Sequence, residues 1–291
     1  MSDGVGGQTA LRRSNGNGGG QETAAAIWAA ITGLSIGEAW LRRDEPKAPE
    51  TLARFQDAVA QLERGVPFAY AVGRVGFRTL DLAIDSRALI PRPETEGLVE
   101  LVLARCSTGL VADIGTGCGC IALALAVEGR FDKVIGVEKS AAAAALAREN
   151  LARIAPSPHT PVEIREGNLL APLVHTGERY RAIVSNPPYL TEREYADLDP
   201  SVAEFEPRDA LVSGADGLAA TRTLFAEAGA LLEPAGAGLL ALEIDERRAD
   251  AVGMLARDTG WDVEIHADLF GRPRYALATP GHGPGAHTSE E

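Results

Sequence analysis

From Val111 onward the sequence repeats one pattern, a short apolar run, a turn, and a stretch of helix formers, and few folds satisfy it. The runs "LVADIG", "KVIGVE", "VEIRE", "YRAIVSN" and "GLLALEI" are dense in aliphatic residues, as strands buried on both faces must be. Between them the spacing predicts helices from Cys120, through "SAAAAALARENLARI", from Arg222 to Leu232, and from Glu246 to Arg257. The segment "WDVEIHADLFGRPRYALATP" then reads as two strands around a Gly-containing turn. Alternating strand and helix closed by a hairpin implies an α/β fold, an open and largely parallel sheet covered on both faces. Such sheets bind ligands at the carboxyl ends of their strands.

Upstream the pattern is different. "ETAAAIWAAITGL" is helical by composition, Ser35 and Glu38 have capping-box spacing for a second short helix ending near Arg43, and Leu52, Phe55, Val59 and Leu62 mark one face of a third closed by Gly65. Phe77, Leu80, Leu82 and Ile84 alternate as a β-hairpin does, and Pro91 and Pro93 stop it before a helix begins. The expected organisation is a tail over 1–21, a helical domain over 22–72, a linking hairpin over 73–92, an α/β domain over 93–280 and a tail over 281–291. Both tails are Gly-rich and nearly devoid of apolar residues, which predicts disorder.

Composition narrows the partners. No apolar run approaches the roughly 18 to 20 residues that span a bilayer and the first residues have no apolar signal core, so a cytoplasmic protein with no membrane partner is expected. A formal net charge of -13 opposes an extended nucleic-acid-binding face. Cys106, Cys118 and Cys120 lack metal-ligand spacing, and free thiols with no metal site are expected.

Two loops carry candidate chemistry. In "VADIGTGCG" the glycines Gly115, Gly117 and Gly119 follow the first strand of the sheet, where a backbone without Cβ atoms can turn tightly and approach a ligand. The spacing is G-x-G-x-G rather than the dinucleotide fingerprint. Glu138 ends the next strand, where nucleotide folds place a carboxylate on ribose hydroxyls, so glycine turn and acid together argue for an adenosine-bearing ligand. The turn "EGNLL" after the third strand then offers Asn168 to a base edge and Leu169 to a ring face.

The second loop is "IVSNPPYL", which brings Asn186 to the same rim. Pro187 and Pro188 stiffen the segment and remove two donors, so carbonyls are left to face a ligand, while Tyr189 adds a flat ring. An asparagine oxygen and a proline carbonyl form a pair of acceptors suited to a planar NH2 group. Alone, the tetrapeptide would equally serve to end a strand.

With these motifs in place, the chain resembles the class I S-adenosylmethionine-dependent methyltransferases, in which N-P-P-[YF] after the fourth strand marks enzymes that methylate a planar nitrogen. The stretches "ALIPRPETEGLVE", "ADIGTGCGCIALALA", "IVSNPPYL", "FEPRDALVSGADGL" and "GRPRYALA" look like the bacterial protein-(glutamine-N5) methyltransferases that modify peptide chain release factors, a resemblance running from about residue 65 to 279. It implies a Rossmann-like seven-stranded sheet with a small N-terminal helical domain that recognises substrate and a linking β-hairpin. It further implies S-adenosyl-L-methionine held by Asp113, Gly115, Thr116, Gly117, Cys118 and Gly119, by Glu138, and by Asn168, Leu169 and Asn186. The glutamine amide would be held by Asn186, Pro187, Pro188 and Tyr189, with a release factor as protein partner. Asn168 stands where members usually carry Asp, and "CGC" replaces the commoner small or polar residues.

Asp113 is expected to anchor the loop rather than to catalyse. Glu94 and Glu96 have two readings, capping the following helix while pairing with Arg92, or touching the cofactor. Two other substrates remain open at this point, a glutamine of a ribosomal protein and the exocyclic N6 of adenine in a nucleic acid, although the acidic balance disfavours the second.

Overall fold

A computed structural model describes residues 19–154, 159–234 and 237–281. The expected tails lie outside the described residues except at their inner ends, where the first helix already begins at Gly19. The chain divides into two compact units at Arg74 and Val75.

The first unit is helical: α1 (Gly19–Thr32), α2 (Ile36–Leu41), α3 (Pro49–Glu63) and α4 (Phe68–Val72). The capping box forms, with the Ser35 hydroxyl accepting from the Glu38 amide and the Glu38 carboxylate accepting from the Ser35 amide. Ile27, Ile31, Phe55 and Ala58 make the core, and Trp28 stacks on Phe55 with ring centroids 4.5 Å apart. The buried stripe of α3 runs through Phe55 and Ala58, with Val59 and Leu62 packed at its edge. Ala58 takes the centre because a small side chain lets the large ones beside it close over the helix. Sequence spacing missed α4, a five-residue helix ended by Gly73 at φ 71°.

A hairpin follows, β1 (Arg74–Phe77) and β2 (Leu80–Ala83), which from Val75 on belongs to the second unit. Phe77, Leu80, Leu82 and Ile84 are all buried, as their alternation requires. Arg78 turns the hairpin at φ 50°, its guanidinium bound to Glu128 and Glu100 and its amide donating to Glu96 at 2.8 Å. Glu96 is therefore a hairpin anchor. Glu94 sits at the start of α5 (Thr95–Arg105) without capping it, and Arg92 pairs instead with the buried Glu206 at 2.6 Å. The expected pairing of Arg92 with Glu94 or Glu96 is thus corrected, because desolvated Glu206 has the greater need of a cation.

After α5 come β3 (Leu110–Ile114), α6 (Cys120–Glu128), β4 (Lys133–Glu138), α7 (Ala141–Ile154), β5 (Val162–Glu166), β6 (Tyr180–Ser185), α8 (Glu192–Ala196), α9 (Pro200–Ala203), α10 (Ala219–Glu227), β7 (Leu239–Glu243), α11 (Ala249–Asp258), β8 (Trp261–Ala267) and β9 (Pro273–Pro280). The seven strands order as β5-β4-β3-β6-β7-β9-β8. The first five are parallel, and β9 runs antiparallel to both β7 and β8. Two expected helices differ: α10 starts at Ala219 and gives way to a 3-10 turn at Ala228–Ala230, and Glu246–Arg248 form a 3-10 turn ahead of α11. The small residues of "AGA" bias neither end, so composition could not place those boundaries.

Strand order reverses between β3 and β6, which opens a crevice at their carboxyl ends. The buried side chain of Asn150 on α7 stitches this end together, accepting from the Ala83 amide at 2.7 Å and donating to the carbonyls of Ala83 and Cys118 at 3.0 and 2.9 Å.

Candidate active site

The loop after β3 folds back across β4: the amides of Gly115 and Thr116 both donate to the Val137 carbonyl, at 2.9 and 3.0 Å. Gly115 has φ 73°, and a Cβ built there would meet nothing within 4 Å, so its face opens onto the crevice. Beneath the loop Asp113 is fully buried, one carboxyl oxygen accepting from the Thr116 hydroxyl at 2.5 Å and the Ala122 amide at 3.1 Å. Its other oxygen has no partner among the described residues, and burial pushes its pKa up to about 7. Those contacts make Asp113 the brace of the loop.

Glu138 faces the crevice from the end of β4. One of its oxygens accepts from the Gly117 amide at 2.9 Å and the other from the Ser140 amide at 2.8 Å, which leaves each with a free lone pair. A carboxylate held in this way presents two fixed acceptors to a pair of vicinal hydroxyls. At the end of β5 the chain turns sharply: the Gly167 amide donates to the Glu138 carbonyl, and Leu169 is held at φ 47°, a region costly for a branched side chain. That strain aims Asn168 and Leu169 into the same opening.

Across it, the Ser185 hydroxyl donates to the Ile114 carbonyl at 2.7 Å and locks the end of β6 against β3. Asn186 follows, its amide nitrogen donating to the Thr95 hydroxyl at 3.1 Å, while among the described residues its side-chain oxygen and the Pro187 carbonyl accept no hydrogen bond. Downstream, the Leu190 amide donates to the Leu211 carbonyl and the Ser213 amide to the Leu190 carbonyl, both at 2.8 Å. Tyr189 is half-buried, its carbonyl lying against Gly217, where φ is 77° and a Cβ would come within 2.2 Å.

These loops enclose a cleft of about 740 Å³. Of the residues expected from sequence, Gly115, Gly117, Glu138, Asn168, Leu169, Asn186 and Pro188 line it. Asp113 lies beneath the glycine loop, Thr116, Cys118 and Gly119 are buried residues of the loop itself, and neither the buried Pro187 nor the half-buried Tyr189 is among the cleft-lining residues. Cys106, Cys118 and Cys120 are free and buried, and a hydrogen bond to Cys118 together with burial pushes the Cys120 thiol well up. Sequence reasoning missed the opposite wall, formed by Arg87, Ala88 and Leu89 and by the Pro207–Gly214 stretch. The quoted runs "ALIPRPETE" and "FEPRDALVSG" contain or adjoin both, but their sequence says nothing of which face meets the opening.

A sheet of this order, with a glycine loop after its first parallel strand, an acid ending the second, and open space at Gly115 that a Cβ would fill, defines a class I S-adenosylmethionine-dependent methyltransferase. Two family models match in turn, the PrmC N-terminal domain over residues 8–73 and the methyltransferase small domain over residues 93–202. The release factor glutamine methyltransferase of Deinococcus radiodurans is 39% identical over 87% of this chain and 88% of its own length. That of Xylella fastidiosa strain Temecula1 is 43% identical over 87% and 90%. This chain belongs to the release factor glutamine methyltransferase family. Among solved structures, a methyltransferase from Pyrococcus furiosus shares the fold at a TM-score of 0.51 and 19% identity, with 81% of this chain and 100% of that one covered.

Proposed function

We propose that this protein methylates the side-chain amide nitrogen, N5, of a glutamine in a peptide chain release factor, acting in the cytoplasm with its N-terminal helical unit recognising the substrate protein. The observation that supports the reading is Asn186, which lines the cleft, donates one N–H to Thr95 and has a side-chain oxygen that accepts no hydrogen bond among the described residues, leaving it to face the substrate. Gly115 and Gly117 would pass close to the cofactor, Glu138 would accept from its ribose hydroxyls, and Asn168 and Leu169 would flank its adenine.

When bound, S-adenosylmethionine supplies a methyl group on a sulfonium, an electrophile that needs no further activation. An amide nitrogen is a poor nucleophile because its lone pair is delocalised into the carbonyl. Alignment must therefore do most of the work, and holding two reactants in line contributes on the order of 7 to 11 kcal/mol at best. Asn186 Oδ1 and the Pro187 carbonyl each accept one N–H of the substrate amide, which fixes its plane and sets two preorganised dipoles against the positive charge developing on nitrogen. Tyr189 would add a flat face beside that amide. No protein base has to act before transfer, because the methylated and protonated amide is a strong acid and loses its proton readily.

The test is transfer of a radiolabelled methyl group from S-adenosylmethionine to purified release factor, a ribosomal protein fraction and DNA in parallel. Label in a release-factor glutamine is the expected result. Label on DNA alone, or on a ribosomal protein alone, would overturn the assignment.

A further inference from the structure

Behind Asn186 lies a two-bond chain whose inner link, from Thr95 to Glu243, the mechanism above does not use. Asn186 Nδ2 donates to Thr95 Oγ1 at 3.1 Å, and Thr95 Oγ1 donates to Glu243 Oε2 at 2.7 Å. Both inner members are buried, Thr95 at the first turn of α5 and Glu243 at the carboxyl end of β7, each 2% exposed. A carboxylate at the carboxyl end of a central strand, with a single hydroxyl donating to it, is costly to bury ionised unless nearby cations and hydrogen bonds offset the lost hydration.

The chain has a direction. A hydroxyl has one hydrogen, and an ionised carboxylate only accepts. With Glu243 ionised, the Thr95 hydrogen is committed to it, and Thr95 can offer Asn186 nothing but a lone pair. The Asn186 carboxamide must then present NH2 to Thr95 and oxygen to the cleft. Turned over, the same side chain would set oxygen against oxygen at Thr95 and point two N–H donors at a substrate NH2, which is also a donor. We propose that Thr95 and Glu243 are positioning residues that fix which end of the Asn186 carboxamide faces the substrate, and so make the site selective for a group that donates. The proposal rests on the amide-transfer reading of this same site.

The charged and titratable surroundings bear on the ionised form. Burial pushes Glu243 up to about 7, while the Thr95 hydroxyl, Arg274 and Arg92 favour its charged form and Glu94 opposes it. Tyr275 on β9 is paired with Glu243 in the sheet, and Tyr189 lies within its field. Both tyrosines are pushed up and stay neutral around neutral pH, so the orientation holds where Glu243 is ionised, above about 7.

Thr95→Val keeps the shape and removes the hydroxyl, while Thr95→Ser keeps the hydroxyl. With radiolabelled S-adenosylmethionine and purified release factor, Thr95→Val is expected to lower kcat about 10²-fold, the scale set by a misplaced substrate. The dissociation constant for S-adenosylmethionine, by isothermal titration, stays within twofold of wild type, and Thr95→Ser restores most of kcat. Glu243→Met, which deletes the acceptor and frees the Thr95 hydrogen to turn toward Asn186, reproduces the loss with Thr95 in place and stands in if the valine variant does not fold. Equal activity of Thr95→Val and wild type overturns the proposal. So does an equal loss in Thr95→Val and Thr95→Ser, or a loss of cofactor affinity that matches the loss of kcat. A wild-type protein that labels no glutamine removes the amide reading itself, and the positioning role falls with it.

Discussion

The Gly117 amide donates to the Glu138 carboxylate at 2.9 Å, so the loop after β3 and the end of β4 are held by the same oxygen pair that faces the cleft. A single acid therefore shapes the glycine turn and offers acceptors to the ligand that the turn embraces.

Replacing it should separate affinity from chemistry. Glu138→Ala removes charge-assisted acceptors that together contribute about 1.5–3 kcal/mol, so the dissociation constant for S-adenosylmethionine is expected to rise roughly ten- to a hundredfold. Isothermal titration reads this directly, and kcat at saturating cofactor should fall much less.

Asn186→Ala should give the opposite split. Loss of one preorganised partner of the reacting group costs ~10²–10³ in kcat, and the cofactor dissociation constant should stay close to wild type. Comparable losses in titration and in methyl transfer would contradict the division of roles between the two sides of the cleft.

Gly217 supports the substrate wall from behind. An added Cβ would lie 2.2 Å from the Tyr189 carbonyl and 2.6 Å from the Arg248 guanidinium, at a φ of 77°. Gly217→Ala is expected to destabilise the fold by about 2 kcal/mol or more, through left-handed strain and overpacking. Because the displaced atom belongs to the N-P-P-Y segment, kcat should fall along with the melting temperature, whereas cofactor binding should change little.

Stability should depend on pH through two buried acids. Burial raises Asp113 and Glu243 to about 7, above their unfolded values of 3.8 and 4.5. Each therefore favours the fold most when protonated, below its unfolded value, and that contribution disappears as pH rises through about 7. The ion-paired carboxylates Glu163, Glu178 and Asp216, lowered to about 2, act oppositely but only at lower pH, as they begin to protonate near their unfolded values. Between pH 8 and 5.5 the raised pair dominates among these carboxylates, and the urea midpoint should climb as pH falls, on the order of 1–3 kcal/mol in total. Asp113→Asn should flatten part of that slope.

The sequence carried the strands of the sheet and the motifs at their ends because both rest on local physics. Short runs rich in β-branched residues such as "KVIGVE" favour buried strands, Gly115 and Gly117 mark a turn that other residues resist, and the two prolines after Asn186 stop a strand wherever they occur. Even the capping box of Ser35 and Glu38 is complete within four residues. Tertiary structure alone decided what these loops meet. Thr95 and Glu243 are 148 residues apart and look like a helix start and a strand end, yet their hydrogen bond orients Asn186. Arg92 left its near neighbours for Glu206, and the wall at Pro207–Gly214 came from a stretch with no periodic signal. Such pairings depend on burial and on strand order, which set the cost of an unpartnered charge, and no spacing along the chain records either one.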